Sequence, residues 1–430
     1  MPLSADKLYE YLANEEDARV CEGISEAACR EVPGNFLAIF VSQCLTKIGD
    51  AITSAKIVIP WMLAGVGAPA FFAGMLVPIR ESGSLLPQLL IGGYVRRHAV
   101  RKWFYVIGSV LQGLVVLLLA AVFLYLQGRT AGLAVVGLLV LFSLARGLCS
   151  VASKDVLGKC IAKTRRGLLS GYCASAAGLI TIAVGAAVLL QTQPSSGELV
   201  WLLLVAALCW FIAAIAFARV KEFPGASDGG GNAVKKALAS LSILRTDGDF
   251  RRFVITRSLL MSSGLASPYL ILLVRQSNAG NSLLSLGVFV IAGGIASLIG
   301  GVTWGKLADR SSRKLLAGCA LLVFFLCAAA GFIASQSDLD ATPLLLLLFF
   351  LLSLTHDGIR LARKTYIVDM ADGNRRTDYV AVSNTLIGVL LLLVGAAGAL
   401  LAQLSLTVVL GFYGVSSLLA FVMSLRLPEA

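Results

Sequence analysis

The stretch Gly305-Lys306-Leu307-Ala308-Asp309-Arg310-Ser311-Ser312-Arg313-Lys314 places a short charged turn between two apolar segments, at about 283–304 and 315–335. Each neighbour is long enough to cross a hydrocarbon core of about 30 Å as a helix. Segments of this kind recur along the whole chain, at about 36–63, 69–94, 102–126, 131–153, 168–190, 198–218, 252–275, 342–362, 379–401 and 404–425. The reading is therefore an all-α integral membrane protein with twelve transmembrane helices. A closed barrel would need alternating polarity, and these runs are continuous.

Composition agrees. Hydrophobic residues make up 58% of the 430, charged residues only 14%, and the mean hydropathy is +0.86, which excludes an ordinary soluble domain. A net charge of +12 is accounted for by topology without invoking nucleic acid. The cations follow the even-numbered spans: Arg96/Arg97/Arg101/Lys102, Lys159/Lys163/Arg165/Arg166, Lys221/Lys235/Lys236, Lys306/Arg310/Arg313/Lys314 and Arg363/Lys364/Arg375/Arg376, with Arg129 the clearest exception. The positive-inside rule then predicts that both termini are cytoplasmic, in a cytoplasmic (inner or plasma) membrane.

The nine cysteines contain no C-x-x-C pair and are expected to be reduced apolar side chains. With His98 and His356 the only histidines, no metal centre is expected, nor any cofactor. Residues 1–33 carry eight acids and three bases, so no signal peptide is predicted there; they read as a cytoplasmic segment of one or two helices. Gly300 to Lys306 spells G-x-x-x-x-G-K, yet Leu307 stands where a phosphate loop needs Ser or Thr, so nucleotide binding is rejected.

Residues 221–248, with Pro224-Gly225 and Gly229-Gly230-Gly231, form a polar linker between two halves, 34–220 and 249–430. The halves resemble each other. A shift of 210 carries Ser143-Leu144 onto Ser353-Leu354, Arg146 onto His356, Lys154 onto Lys364 and Arg165-Arg166 onto Arg375-Arg376, and Gly34-Asn35-Phe36 recurs as Gly248-Asp249-Phe250. Two pseudo-symmetric six-helix bundles are predicted.

On these residues the chain resembles the major facilitator superfamily. Its signature loop, G-x-x-x-D-R-x-G-R-K, is matched at Gly305, Asp309, Arg310, Arg313 and Lys314, with Ser312 at the usual glycine. The first-half counterpart keeps Gly93, Arg101 and Lys102 but has Arg97 at the acidic position. The resemblance implies alternating access, a gating role for the 305–314 loop on the cytoplasmic side, and a monomer. The same bases are also topology determinants.

Glycines at seven-residue spacing, Gly171/Gly178/Gly185 in the fifth helix and Gly287/Gly294/Gly301 in the eighth, give faces that permit close helix approach. The resemblance implies that these two faces meet across the halves.

Ionisable residues within spans are costly and face a cavity or a partner. Gln43, Lys47, Asp50 and Ser54 share one face of the first helix. Arg80 and Glu81 lie between Pro78 and Pro87 in the second. Arg146 lies in the fourth, and His356, Asp357 and Arg360 lie along one flank of the tenth. Arg257 and Arg275 read as interfacial anchors. The inner set is the predicted substrate site, unless Lys47–Asp50 and Arg80–Glu81 merely neutralise each other. Arg146 and Arg360 suit a carboxylate or phosphate, so the expected solute is small and anionic or zwitterionic. Asp50, Glu81, His356 and Asp357 are candidate proton carriers, protons being favoured over sodium. No nucleophile–base constellation suggests an enzyme. Two alternatives stay open: efflux of a drug-like or cationic compound by proton antiport, and a transporter-like membrane sensor or scaffold without flux. Because the first-half loop lacks its acid, Asp309→Asn should impair uptake into proteoliposomes more than Arg97→Ala; equal losses would count against an asymmetric gate.

Overall fold

The computed structural model describes residues 26–95, 97–189, 198–224, 242–276, 283–336, 342–370 and 373–428, and every element in them is helical or a turn. After a short helix over Glu26–Arg30, the helices of the first half are α1 (Val32–Ile52), α2 (Val58–Gly65), α3 (Ala70–Leu85), α4 (Gln88–Val95), α5 (Lys102–Tyr125), α6 (Gly128–Cys160), α7 (Lys163–Leu189) and α8 (Glu198–Ala218). After a second short helix over Ile243–Thr246, those of the second half are α9 (Gly248–Leu259), α10 (Ser262–Leu265), α11 (Ser267–Gln276), α12 (Leu283–Arg310), α13 (Ser312–Ala334), α14 (Thr342–Asp369), α15 (Gly373–Leu401) and α16 (Leu406–Leu425).

Among the described residues, eight helical segments are long and apolar enough to cross a membrane, and α7 and α12 contain the shorter apolar stretches Ala176–Leu189 and Leu286–Gly300. The remaining two spans fall short because they are broken and polar. The first is α1 followed by α2, interrupted at residues 53–57. The second is α3 followed by α4, with Pro78 inside α3 and Pro87 just beyond it. Proline lacks the donor a helix interior needs and disfavours helical geometry in the residue before it. The seventh span is also discontinuous, as α9, α10 and α11. Its start is fixed by Asp247, whose side chain accepts from the backbone N–H of Asp249 at 3.0 Å and of Phe250 at 2.9 Å. The first and seventh spans occupy equivalent places in the two halves, so the interruptions obey the internal repeat.

Inside each half the spans pack through large buried rings. Tyr105 stacks on Phe217 at 3.8 Å and Phe142 meets Trp210 edge-on at 5.4 Å. The outward surface carries Leu118, Tyr125, Leu133, Phe325, Phe332 and Leu393, as a lipid-facing wall requires. The first half is closed by a reciprocal clamp. Asn35 donates to the carbonyl of Lys221 at 3.0 Å and accepts from its N–H at 2.7 Å, while Lys221 pairs with Glu31 at 2.9 Å.

Across the halves, α7 packs on α12, α3 on α15 and α2 on α11. The first contact uses the expected glycine faces. A Cβ on Gly287 would lie 2.9 Å from the Gly185 carbonyl oxygen, and one on Gly294 would lie 3.4 Å from that of Gly178. Gly171 and Gly301, whose side-chain surroundings lie outside the described residues, extend the two rows in sequence.

Seven cysteines, from Cys44 to Cys327, are free, but Cys29 is disulfide-bonded, although spacing had suggested only reduced thiols. The error arose because pairing depends on distance in the fold, which Cys spacing alone does not give.

The glycine contact has a measurable consequence. Gly287→Val would drive its Cβ to 2.6 Å from Leu189 Cγ, and overpacking of this kind costs about 1–3 kcal/mol. Gly318→Val, where nothing lies within 4 Å, should leave the unfolding midpoint in detergent nearly unchanged while Gly287→Val lowers it.

Candidate functional site

The site begins with the break in the first span. Thr53 ends α1 by bonding its hydroxyl to the Gly49 carbonyl at 2.8 Å, and the chain does not resume a helix until Val58. The Thr53 carbonyl, left without a helical partner, accepts from Arg80 Nη1. Arg80 Nη2 donates to Asp50 Oδ1 at 2.9 Å, and its guanidinium lies over the Phe142 ring at 5.3 Å. On the other side, Arg146 reaches the same carboxylate with both arms, Nη1 to Oδ1 and Nη2 to Oδ2, the latter at 2.9 Å. Asp50 thus ties the first, second and fourth spans together. Its backbone position is fixed by Gly49, where a Cβ would collide with the buried Trp210 ring.

The second half contributes its own polar set. His356 Nδ1 lies 2.9 Å from Ser263 Oγ, in the broken seventh span. Asp357 accepts from Ser297 at 2.9 Å and pairs with Arg360 at 3.5 Å. Along the flank that His356 shares with Asp357 and Arg360, its ring is thus engaged by the seventh span.

The two sets face each other. Glu81 lies within the electrostatic reach of Lys56 and Arg360 as well as of Arg146 and Arg80. Lys56 feels Arg360, Glu81, Asp357 and Arg363, and Lys47 acts on Asp50. Of the sequence-nominated residues, Asp50, Arg80 and Arg146 are in direct contact, and Lys47, Glu81, Asp357 and Arg360 share their field. Gln43 lies two turns before Asp50 on α1, half-buried. The self-neutralising pairs Lys47–Asp50 and Arg80–Glu81 are not the arrangement found: Asp50 is taken by arginines from two other spans.

Two members were missed. Lys56 was off the stripe 43–47–50–54, and the helix break resets the phase that would have excluded it. Arg363 was assigned to the topology cations, although it follows Arg360 by three residues on the same flank. Arg257 is not the interfacial anchor that its place near a span end suggests: it is 9% exposed and donates to Ser383 Oγ at 2.6 Å and Asn384 Oδ1 at 2.9 Å. Arg275 sits over the Trp61 ring at 5.0 Å.

At the end of the bundle that bears the basic connections, the first half replaces the acid missing at Arg97 with two distant ones. Asp155 pairs with Arg101 at 3.0 Å. Glu222 accepts from the N–H groups of Arg101 at 2.8 Å and Lys102 at 2.6 Å, and pairs with Lys159 at 2.8 Å. A carboxylate at the start of α5 complements the helix dipole there. In the second-half loop, Gly305 and Asp309 are in the last turns of α12 and their side chains lie outside the described residues. Ser311 caps α13 by accepting from the Lys314 N–H at 3.2 Å, Arg313 donates to the Leu427 carbonyl at 3.1 Å, and Arg310 is exposed.

Comparison with known proteins places this architecture. Residues 258–430 match the sequence model of the Major Facilitator Superfamily. No curated protein matches the chain in sequence. In structure the chain is similar to a variant of the nucleoside transporter NupG (TM-score 0.70, 11% identity, 91% of this chain and 99% of that one). It is also similar to the xylose transporter XylE from E. coli in its inward-open conformation (0.65, 13%, 92% and 96%). A third likeness is to a bacterial homologue of the iron transporter ferroportin in an inward-facing state (0.67, 17%, 91% and 98%). The chain thus has the fold of these membrane transporters over most of its length, and its second half matches the Major Facilitator Superfamily in sequence.

The Asp50 clasp predicts its own test. Asp50→Asn keeps the shape but leaves two guanidiniums without their shared counterion. With Asp50 16% and Arg146 33% exposed, the loss should be about 3 kcal/mol, the low end for breaking a buried pair. Thermal unfolding in detergent would report it, and Asp50→Asn with Arg146→Gln should recover part of the loss.

Proposed function

We propose that the protein is a secondary transporter that moves a small anionic or zwitterionic solute by alternating access, with the basic end cytoplasmic and the halves 34–220 and 249–430 as the moving bodies. One observation carries this reading: the residues converging between the broken first and seventh spans include Lys47, Lys56, Arg80, Arg146, Arg360 and Arg363 against the carboxylates Asp50, Glu81 and Asp357. Such an excess of cations in a low-dielectric setting favours a ligand that supplies negative charge. It disfavours efflux of a cationic compound.

The packing of α2 on α11 and the glycine contact of α7 with α12 support a state in which the end opposite the basic connections is closed. Glu81, which makes no ion pair among the described residues, would become available to a coupling proton in a state that separates it from Lys56 and Arg360. Asp50, held by two arginines, serves as their counterion instead.

Proteoliposomes with an imposed pH gradient and a panel of small carboxylates, amino acids and phosphate esters test the reading. Accumulation of an anion, reduced at least tenfold by Arg146→Ala, is the expected result. Binding without flux would leave only the sensor reading, and selective uptake of cations would overturn the substrate class.

A further inference from the structure

We propose that Arg257, Arg363 and Lys364 form a phosphate-recognising site in the second half, so that the solute is a small phosphate or phosphate monoester. The substrate assignment rests on the transporter reading above; the binding site itself does not.

Arg257 is the starting point. It is 9% exposed, its two terminal nitrogens donate to the neutral acceptors Ser383 and Asn384 of α15, and its buried Nε has no hydrogen-bond partner. Among the described residues no carboxylate pairs with it, and the charge it feels is that of Arg363, of like sign. Arg363 makes no ion pair or side-chain hydrogen bond among the described residues; Arg360 repels it and Glu81 alone attracts it. The neighbouring Lys364 is surrounded by the fields of Arg360, Arg363, Lys154 and Arg257, all cations.

The first half shows the contrast. There Arg80 and Arg146 share the Asp50 carboxylate. A guanidinium removed from water without a counterion is costly, and a helix-packing role would be served better by an apolar side chain. Cations kept only for topology belong in exposed connections, not at 9% exposure within a span.

Charge selects the ligand class. A single carboxylate would offset one of the three cations, whereas a phosphate monoester carries about −1.5 to −2 at neutral pH together with three strong acceptor oxygens. Arginine forks and a lysine point charge are suited to such a group. Position agrees: Arg363 also acts on Lys56, so a phosphoryl group between Arg257 and Arg363 would leave the rest of a small ligand within reach of Arg360, Lys56 and Glu81.

The test uses the full chain in detergent micelles, with thermal unfolding and titration calorimetry against inorganic phosphate, glycerol 3-phosphate and, as comparator, succinate. The expected result is stabilisation by both phosphates, with succinate at least tenfold weaker. Arg363→Gln, which removes no hydrogen bond, should weaken phosphate binding at least tenfold. Arg257→Gln should do the same, with Arg257→Lys recovering part. If Arg257→Gln does not fold, Arg363→Gln decides alone. Absence of phosphate binding, equal binding of succinate, or unchanged affinity in Arg363→Gln overturns the site. Preference for inorganic phosphate over glycerol 3-phosphate would assign the free ion as ligand, and the reverse an organic phosphate. Phosphate binding that depends on Arg363 but is accompanied by no flux sinks the transporter reading and leaves the site. Anion flux indifferent to Arg363→Gln, with no phosphate binding, sinks the site and leaves the transporter.

Discussion

The structure depends on one carboxylate. Asp50 accepts from Arg80 and from both arms of Arg146, and those two arginines come from different spans. In a membrane, apolar side chains gain little by leaving lipid for one another, so specific polar contacts and close packing decide which helices associate. The Asp50 contacts do that for the first, second and fourth spans. They also explain why the first span is allowed to break: the freed Thr53 carbonyl is taken up by the same Arg80. A conformational defect and a buried cation thus resolve each other, and the break brings Lys56 into the field of the second half.

Much of this was legible in the sequence. Continuous apolar runs fixed the number and class of the spans, because backbone groups in lipid must be satisfied within a helix. The glycines at seven-residue spacing fell on touching faces because small residues are what such contacts need. Asp50, Arg80, Glu81, Arg146 and Arg360 could be nominated because charge within a span is expensive and must have a reason.

The partners were less legible. Spacing along one helix suggested Lys47 for Asp50 and Glu81 for Arg80, whereas the actual pairs join residues 30 and 96 positions apart. A rule for neighbours on a helix surface is silent about a three-dimensional meeting of helices. The same holds at the basic end. Arg97 stands where the first-half loop lacks its acid, yet Asp155 and Glu222 supply negative charge to Arg101 and to the start of α5. Arg257 was misplaced for a related reason: near a span end, a buried arginine and a snorkelling one look alike in sequence, and only Ser383 and Asn384 on a distant helix separate them.

The pseudo-symmetry has a physical consequence at the basic end of the bundle. Lys154 and Lys364, equivalent positions in the two halves, act on each other with like charge. Drawing the two halves together at that end would bring these lysines, with Arg363 and Arg360, into a less hydrated space, where repulsion strengthens as the effective dielectric falls. At the opposite end the halves meet through glycines, apolar side chains and the Arg275 guanidinium over the Trp61 ring, with no like-charge pair among the described residues. In the transport cycle proposed above, the unliganded protein is therefore biased toward opening at its basic end. A ligand can reverse that bias only through a stronger interaction with the closed arrangement than with the open one. An anion lodged among these cations satisfies that condition by converting their mutual repulsion into a shared attraction. In that proposed cycle, charge neutralisation and closure are the same event.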